Sequence, residues 1–268
     1  MKLKRSLEIS EYFVKTFIPL HILSLGMIYF ASEFTWKTVL GIALVYGAVG
    51  GLGLELGFHR MISHKNFQFK YEFLQRIFIF LGSLAFQGSS LAWVSLHRNH
   101  HIHVDSGSDY QSPLHGVWSS YIGWTINPSL YKKINVRLVR ELLKDPYQLF
   151  LDKHYYKIIW SVALLVLLLS RVLFFTIYLP GILLSFHVSS INNLIGHNLR
   201  IGKRPFKVGD MSTDVWWAAL FSWGISFQNT HHKFPNELNY GKYSGLDPAY
   251  YLFLFLEKSK LVKRLNHE

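Results

Sequence analysis

The stretch Trp93-Val-Ser-Leu-His-Arg-Asn-His-His-Ile-His-Val-Asp105 sets His97, His100 and His101 at positions i, i+3 and i+4. On a helix these fall on one face, with Cβ atoms about 5–6 Å apart. Two or three imidazoles at that spacing can reach one metal ion, or two neighbouring ions. Histidine pairs also arise at this spacing by accident, on surfaces and in cores. Three further clusters in the chain argue against accident. One is Gly57-Phe-His-Arg-Met-Ile-Ser-His64, where His59 and His64 stand about 140° apart on a straight helix and bracket a centre from two directions. Another is Asn193-Leu-Ile-Gly-His197, with an amide and an imidazole at i and i+4. The last is Gln228-Asn-Thr-His-His232.

Composition says where these clusters sit. Half of the 268 residues are apolar, 16% are aromatic and only 16% are charged, against roughly 25% charged in soluble domains. Several apolar runs approach the roughly 20 residues that a bilayer core requires. The fold class expected is all-α, a multi-pass membrane protein. The spans are placed at about 12–31, 36–56, 155–171 and 173–194. The second carries Gly41, Gly47, Gly50, Gly51 and Gly53, as where helices approach closely in lipid. Segment 73–93 is interrupted by Arg76, Gln87 and Gly88 and reads as a helix buried against the protein or lying at the interface. The last two form a hairpin that turns near Arg171, and an amphipathic helix over 248–265 closes the chain. Residues 1–268 form one domain, with 58–153 and 196–268 making a helical cap.

Basic residues orient it. Of 28 Lys and Arg, eleven lie within 58–153 and ten after Gly196, while the two short connecting loops hold only Lys37 and Arg171. The positive-inside rule then puts the cap and both termini in the cytoplasm, with an even number of spans. The net charge of +12 is read as membrane-surface charge rather than nucleic-acid binding. Residues 1–7 are basic, but no small-residue cleavage site follows, so no signal peptide is expected.

With no cysteine, thiolate metal sites and disulfides are excluded. Metal must be held by His, Asn, Gln, Asp or Glu, and eight clustered histidines exceed what one ion needs. Two metal ions follow; imidazole suits iron, zinc and copper alike. His103 and His115 are expected at the surface or beside the site, His21, His154 and His187 in structural roles, and His267 solvated. Arg60 and Arg98 are expected to pair with carboxylates such as Asp105 or Asp109.

The order H-R-x-x-S-H, H-R-x-H-H, N-x-x-x-H and x-N-x-H-H over about 59–235 resembles the membrane-bound fatty acyl desaturases of the stearoyl-CoA (delta-9) type, in a bacterial-like form. That resemblance implies four spans under a cytoplasmic cap holding two iron ions, with O2 and two electrons removing two hydrogens from an acyl chain. It makes His59, His64, His97, His100, His101, His197, His231 and His232 iron ligands, with Asn193 acting through water. It makes Gln87, Trp93 and Ser189 the lining of a bend in the acyl tunnel. Asp105 and Asp109 match the stretch after the second box. Glu55 departs from the family pattern and is expected to accept a hydrogen bond from a ligand imidazole.

Gln228 stands where most relatives carry another histidine, and its carbonyl oxygen is a possible donor. Ser95 and Leu96 replace a charged pair common in relatives with CoA substrates. The acyl carrier therefore stays open among CoA, acyl carrier protein and membrane lipid. The implied partners are membrane lipids and an external electron donor such as ferredoxin or cytochrome b5, and the implied setting is a bacterial inner membrane. A hydroxylase, ketolase or acetylenase of the same chemistry, and a His-rich metal transporter, are the competing functions.

Overall fold

The structure, a computed structural model, describes residues 10–126, 135–198 and 200–265. It is mostly helical. Two helices are long and apolar enough to cross a bilayer, Trp36–Ser63 and Arg171–Ile195; Phe13–Tyr29 and Tyr155–Leu169 are apolar but shorter. His267 and both ends of the expected domain lie outside the described residues.

Trp36–Ser63 begins where Thr35 and Thr38 cap each other's backbone N–H groups. It does not stop near residue 56. From Gly47 to Ser63 the ladder is π-helical, and the helix carries Glu55 and His59 inside it. The rings of His59 and His64 lie 4.8 Å apart with their planes at 81°, so the two still approach one point from different directions although the helix that carries His59 is not a straight α-helix.

The segment expected as one helix over 73–93 is two, Glu72–Ser83 and Ser90–His103. Phe86 (φ 60°) and Gly88 (φ 107°) hold the left-handed conformation between them. Phe86 is fully buried, and its strained backbone is tied down. Tyr12 OH donates to Phe86 C=O (2.8 Å) and Gly88 N–H donates to Tyr155 OH (2.8 Å). Ser89 then caps the new helix by accepting from Ala92 N–H. The kink turns Gln87 toward helix Arg171–Ile195.

The first of these two helices lies against Trp36–Ser63 at backbone distance. A Cβ on Gly53 would stand 2.3 Å from Gly82 N, and one on Gly82 would stand 2.9 Å from Gly53 O. Alanine at Gly53 must push the helices apart. We expect it to cost about 1–3 kcal/mol, visible as a lower thermal midpoint in detergent; an unchanged midpoint would show that the contact yields.

Ser170, extended, separates Tyr155–Leu169 from Arg171–Ile195 and caps the latter by accepting from Leu173 N–H, so the hairpin turns beside Arg171. The chain does not end in a helix to 265: Pro248–Lys258 stops, and Val262–Arg264 pairs antiparallel with Phe67–Phe69. This small sheet is the departure from a wholly helical fold. It fastens the end of the chain beside the end of helix Trp36–Ser63.

Candidate metal centre

Four separate elements deliver the imidazoles. Helix Trp36–Ser63 and its cap residue bring His59 and His64, and helix Ser90–His103 brings His97, His100 and His101. The end of Arg171–Ile195 brings His197, and the short helix Gln228–Lys233 brings His231 and His232. They sort into two groups, each with its donor atoms within 4.8 Å of one another: His59, His64, His97, His101 and His231, and His100, His197 and His232.

In the first group the Nε2 atoms converge. His64 and His97 are separated by 2.8 Å, His101 and His231 by 2.9 Å, and His59 and His231 by 3.1 Å; His97 and His101 are also 3.1 Å apart. Donors bound to one ion at about 2.0–2.1 Å and at right angles stand about 3 Å apart. The separations therefore fit a common cation, whereas five close imidazoles without one would repel through their lone pairs.

Four of the eight outward nitrogens, those of His59, His100, His197 and His232, are held by carboxylates, whereas His231 Nδ1 is buried without a hydrogen-bond partner among the described residues. His59 Nδ1 lies 3.0 Å from both oxygens of Glu55. In the second group His100 Nδ1 bonds Asp109 (3.0 Å), His197 Nδ1 bonds Asp105 (2.9 Å) and His232 Nδ1 bonds Asp210 (2.9 Å). A carboxylate accepts, so each of these rings carries its proton on Nδ1 and offers the Nε2 lone pair inward, as metal-binding histidines do. His232 Nε2 is buried with no hydrogen-bond partner, a costly arrangement unless something binds it.

Electrostatics agree. Burial, and then repulsion from neighbouring imidazoles, holds His97, His101, His231 and His64 well below the usual histidine range. Burial takes His232 down to about 4 against the pull of Asp210. These rings are neutral at pH 7, the form a metal takes up without displacing a proton. Burial raises the Asp105 carboxyl, but bonds from His197, Ser112 and Met211 N–H outweigh it and bring it to about 2. Asp105 thus stays an anion that orients His197.

Asn193 and Gln228 line one cavity together with His97, His100 and His197. The Gln228 amide nitrogen donates to Ile225 C=O (2.9 Å), which fixes the carboxamide. Gln87, Trp93 and Ser189 line the same cavity. Gln87 Nε2 donates to Ser189 Oγ (3.1 Å) and Ser185 C=O (3.2 Å), and Trp93 stacks on His97 at 5.1 Å. All sixteen residues singled out in the sequence thus gather at one place.

Both arginines pair with carboxylates, as expected, but not with Asp105 or Asp109. Arg60 meets Glu55 (2.9 Å) and Asp247 (2.9 and 3.0 Å), and Arg98 meets Glu141 and the carbonyls of Ile62 and Ser63. Asp105 and Asp109 are taken by imidazoles, which approach them from the centre. Asp210 was missed. Only Asp210 and Asp214 lie between Asn193 and Gln228, so a search for a carboxylate to serve His232 would have narrowed the choice to two. Asp214 instead accepts from Thr230 and Ser244. Replacing Asp210 by Asn is expected to lower metal affinity by about 10–100-fold, read by competition with a chelator; unchanged affinity would show that the contact is incidental.

A family model for fatty acid desaturases matches residues 34–249. This chain belongs to the fatty acid desaturase family. Among its relatives, the sn-1 stearoyl-lipid 9-desaturase of Anabaena variabilis is 34% identical over 228 residues, which cover 84% of this chain and 82% of that one. The Delta-9 acyl-lipid desaturase 1 of Arabidopsis thaliana is also 34% identical, covering 84% and 74%. The acyl-CoA C20 Delta5-desaturase of Anemone leveillei is 31% identical, covering 89% and 76%. In this desaturase-family chain the matched region runs from the start of helix Trp36–Ser63 to the start of Pro248–Lys258, and so contains every imidazole of the two groups.

Proposed function

We propose that the protein is an acyl-lipid desaturase that places a double bond in a long-chain acyl group at a pair of irons. The observation that carries this reading is the juxtaposition of two imidazole groups with a cavity that passes Trp93, Gln87 and Ser189. His59, His64, His97, His101 and His231 would hold one iron. His100, His197 and His232 would hold the other, with Gln228 and a water on Asn193 completing it. When bound, the irons supply the O2-derived oxidant strong enough to take hydrogen from an unactivated methylene.

The chain's own residues supply position. Glu55, Asp105, Asp109 and Asp210 lock ring tautomers, so the donor atoms need no rearrangement. The Gln87–Ser189 bond pins one part of the cavity wall, and Trp93, braced on His97, forms another. The site thereby selects a carbon pair by proximity rather than by acid–base chemistry. A lipid-linked acyl group is favoured by the names of two of the relatives above and by Ser95 and Leu96. Ser95 Oγ accepts from Asn135 N–H (2.8 Å), and Leu96 lines the cavity; neither presents a charge to a CoA phosphate.

The same reading makes the chain one domain with four spans, formed by Phe13–Tyr29, Trp36–Ser63, Tyr155–Leu169 and Arg171–Ile195. Both termini and the cap face the cytoplasm of a bacterial inner membrane. Exposed Leu25, Val39, Leu168 and Leu184, one from each of the four helices, support lipid-facing surfaces. Electrons come from a separate reduced carrier.

Expression in a host lacking unsaturated fatty acids, followed by mass spectrometry of its lipids, tests the function. A new mono-unsaturated acyl chain is expected. A hydroxylated or ketone-bearing product would point instead to the other reactions open to such a centre.

A further inference from the structure

The carboxylates around the centre are turned inward, and on one side of it the cations are turned outward. Residues 200–207, Arg-Ile-Gly-Lys-Arg-Pro-Phe-Lys, contain four cations, of which Arg200, Lys203 and Lys207 are exposed. Lys233, at the end of the helix that carries His231 and His232, is exposed as well. Among the described residues none of these four exposed cations makes an ion pair. The acids of the same elements are spoken for: Asp210 holds His232, Asp214 accepts from Thr230 and Ser244, and Glu237 meets Lys242.

The loop is also rigidly joined to that helix. Asn229 accepts from Phe206 N–H (2.9 Å) and donates back to Phe206 C=O (3.1 Å). Lys203 and Asp214 exchange backbone bonds of 3.0 and 2.7 Å. Phe206 meets Phe234 edge to face at 5.0 Å, which brings the loop beside Lys233. The other loop carrying carboxylates to the centre, residues 104–112 with Asp105 and Asp109, contains no Lys or Arg. A second basic region at Lys65 and Arg98 is partly neutralised by Glu141, which pairs with both.

We infer that residues 200–207 with Lys233 form the docking surface for an acidic one-electron carrier protein, which delivers electrons on the Asp210–His232 side of the centre. The inference rests on the desaturase reading, whose balance requires such a carrier. A –CH2–CH2– unit gives up two electrons and two protons, the carrier gives two electrons in two encounters, and two protons come from solvent. O2 takes all four electrons and four protons to become two waters. Opposite charge on the two faces speeds each encounter and makes it salt-dependent.

The test uses the full chain, iron-loaded, in neutral phosphatidylcholine vesicles with saturated acyl lipid and O2. Stopped-flow absorbance follows reoxidation of reduced plant-type ferredoxin and of reduced cytochrome b5. Wild-type protein should reoxidise at least one of them at a rate that falls as salt rises. Lys203→Glu with Lys207→Glu should slow that rate by about tenfold at low salt, with metal content and helical circular dichroism unchanged. Arg137→Glu with Arg140→Glu, two exposed arginines just before Glu141 in the chain, should stay within about twofold of wild type. The proposal is overturned if the loop variant keeps the wild-type rate, or if the Arg137/Arg140 variant is the one that slows. It is also overturned if the loop variant slows only when the vesicles contain phosphatidylglycerol and keeps the wild-type rate in phosphatidylcholine alone, which would make the loop a lipid contact. Wild-type protein that reoxidises neither carrier would contradict the desaturase reading itself, and the docking proposal with it.

Discussion

His231→Ala is expected to abolish double-bond formation, lowering the yield by more than about 100-fold, and to take iron below two per chain. His231 is fully buried at the middle of the five-imidazole group, with Nε2 2.9 Å from His101 and 3.1 Å from His59. Alanine removes a donor shared by neighbours on two other helices, and the space it leaves is lined by imidazoles rather than by groups able to replace it. His103 provides the control. It lies two residues from His101 but is exposed, and His103→Ala should keep both iron content and product. Lipid profiling and metal analysis read the two variants side by side. Equal loss in both would mean the helix, not the donor, had been damaged, and full activity in His231→Ala would remove His231 from the site.

The second large effect concerns stability. Arg60 is fully buried, and its guanidinium joins Glu55 to Asp247, donates to Leu238 C=O (2.6 Å) and lies 4.4 Å over the Tyr240 ring. It ties the segment 238–247 to the helix that carries His59. Replacing it by leucine leaves two buried carboxylates without their cation. Breaking a buried pair this way costs about 3–5 kcal/mol, or a thermal midpoint lower by about 10 °C. Glu55 also holds His59, so metal affinity should fall with it. A midpoint within a degree or two of wild type would show that the carboxylates find other partners. Glu55→Gln separates the effects, since it keeps a hydrogen-bond acceptor near His59 while removing one charge from the Arg60 pair.

What could be read from residues alone was the part that local spacing determines. His97 and His101 sit on an ordinary α-helix, where i and i+4 share a face, and their Nε2 atoms do meet. His59 and His64 also meet in one donor group, but the π-helical ladder that carries His59 was not legible, since nothing local in Gly57-Phe-His-Arg-Met-Ile-Ser-His announces it. The Glu55–His59 contact was accessible, being four residues apart within one helix. The partners of Arg60 were not: Asp247 lies 187 residues away, and only the packing of the last segment against helix Trp36–Ser63 joins them. Asp210 was hidden for the same reason, since its 22-residue distance from His232 spans a loop held by Asn229. The break at Phe86 depends on Tyr12 and Tyr155, which are distant in the chain and hold a strained backbone that Phe86 alone would not choose.

Metal analysis and Mössbauer spectroscopy of protein grown in 57Fe decide whether the imidazole groups of five and three hold two irons. Two irons per chain and two distinct quadrupole doublets of equal area are expected, because one iron would have five imidazole donors and the other only three, with amide oxygen and water beside them. One iron per chain, a single doublet, or zinc in place of iron would contradict this assignment.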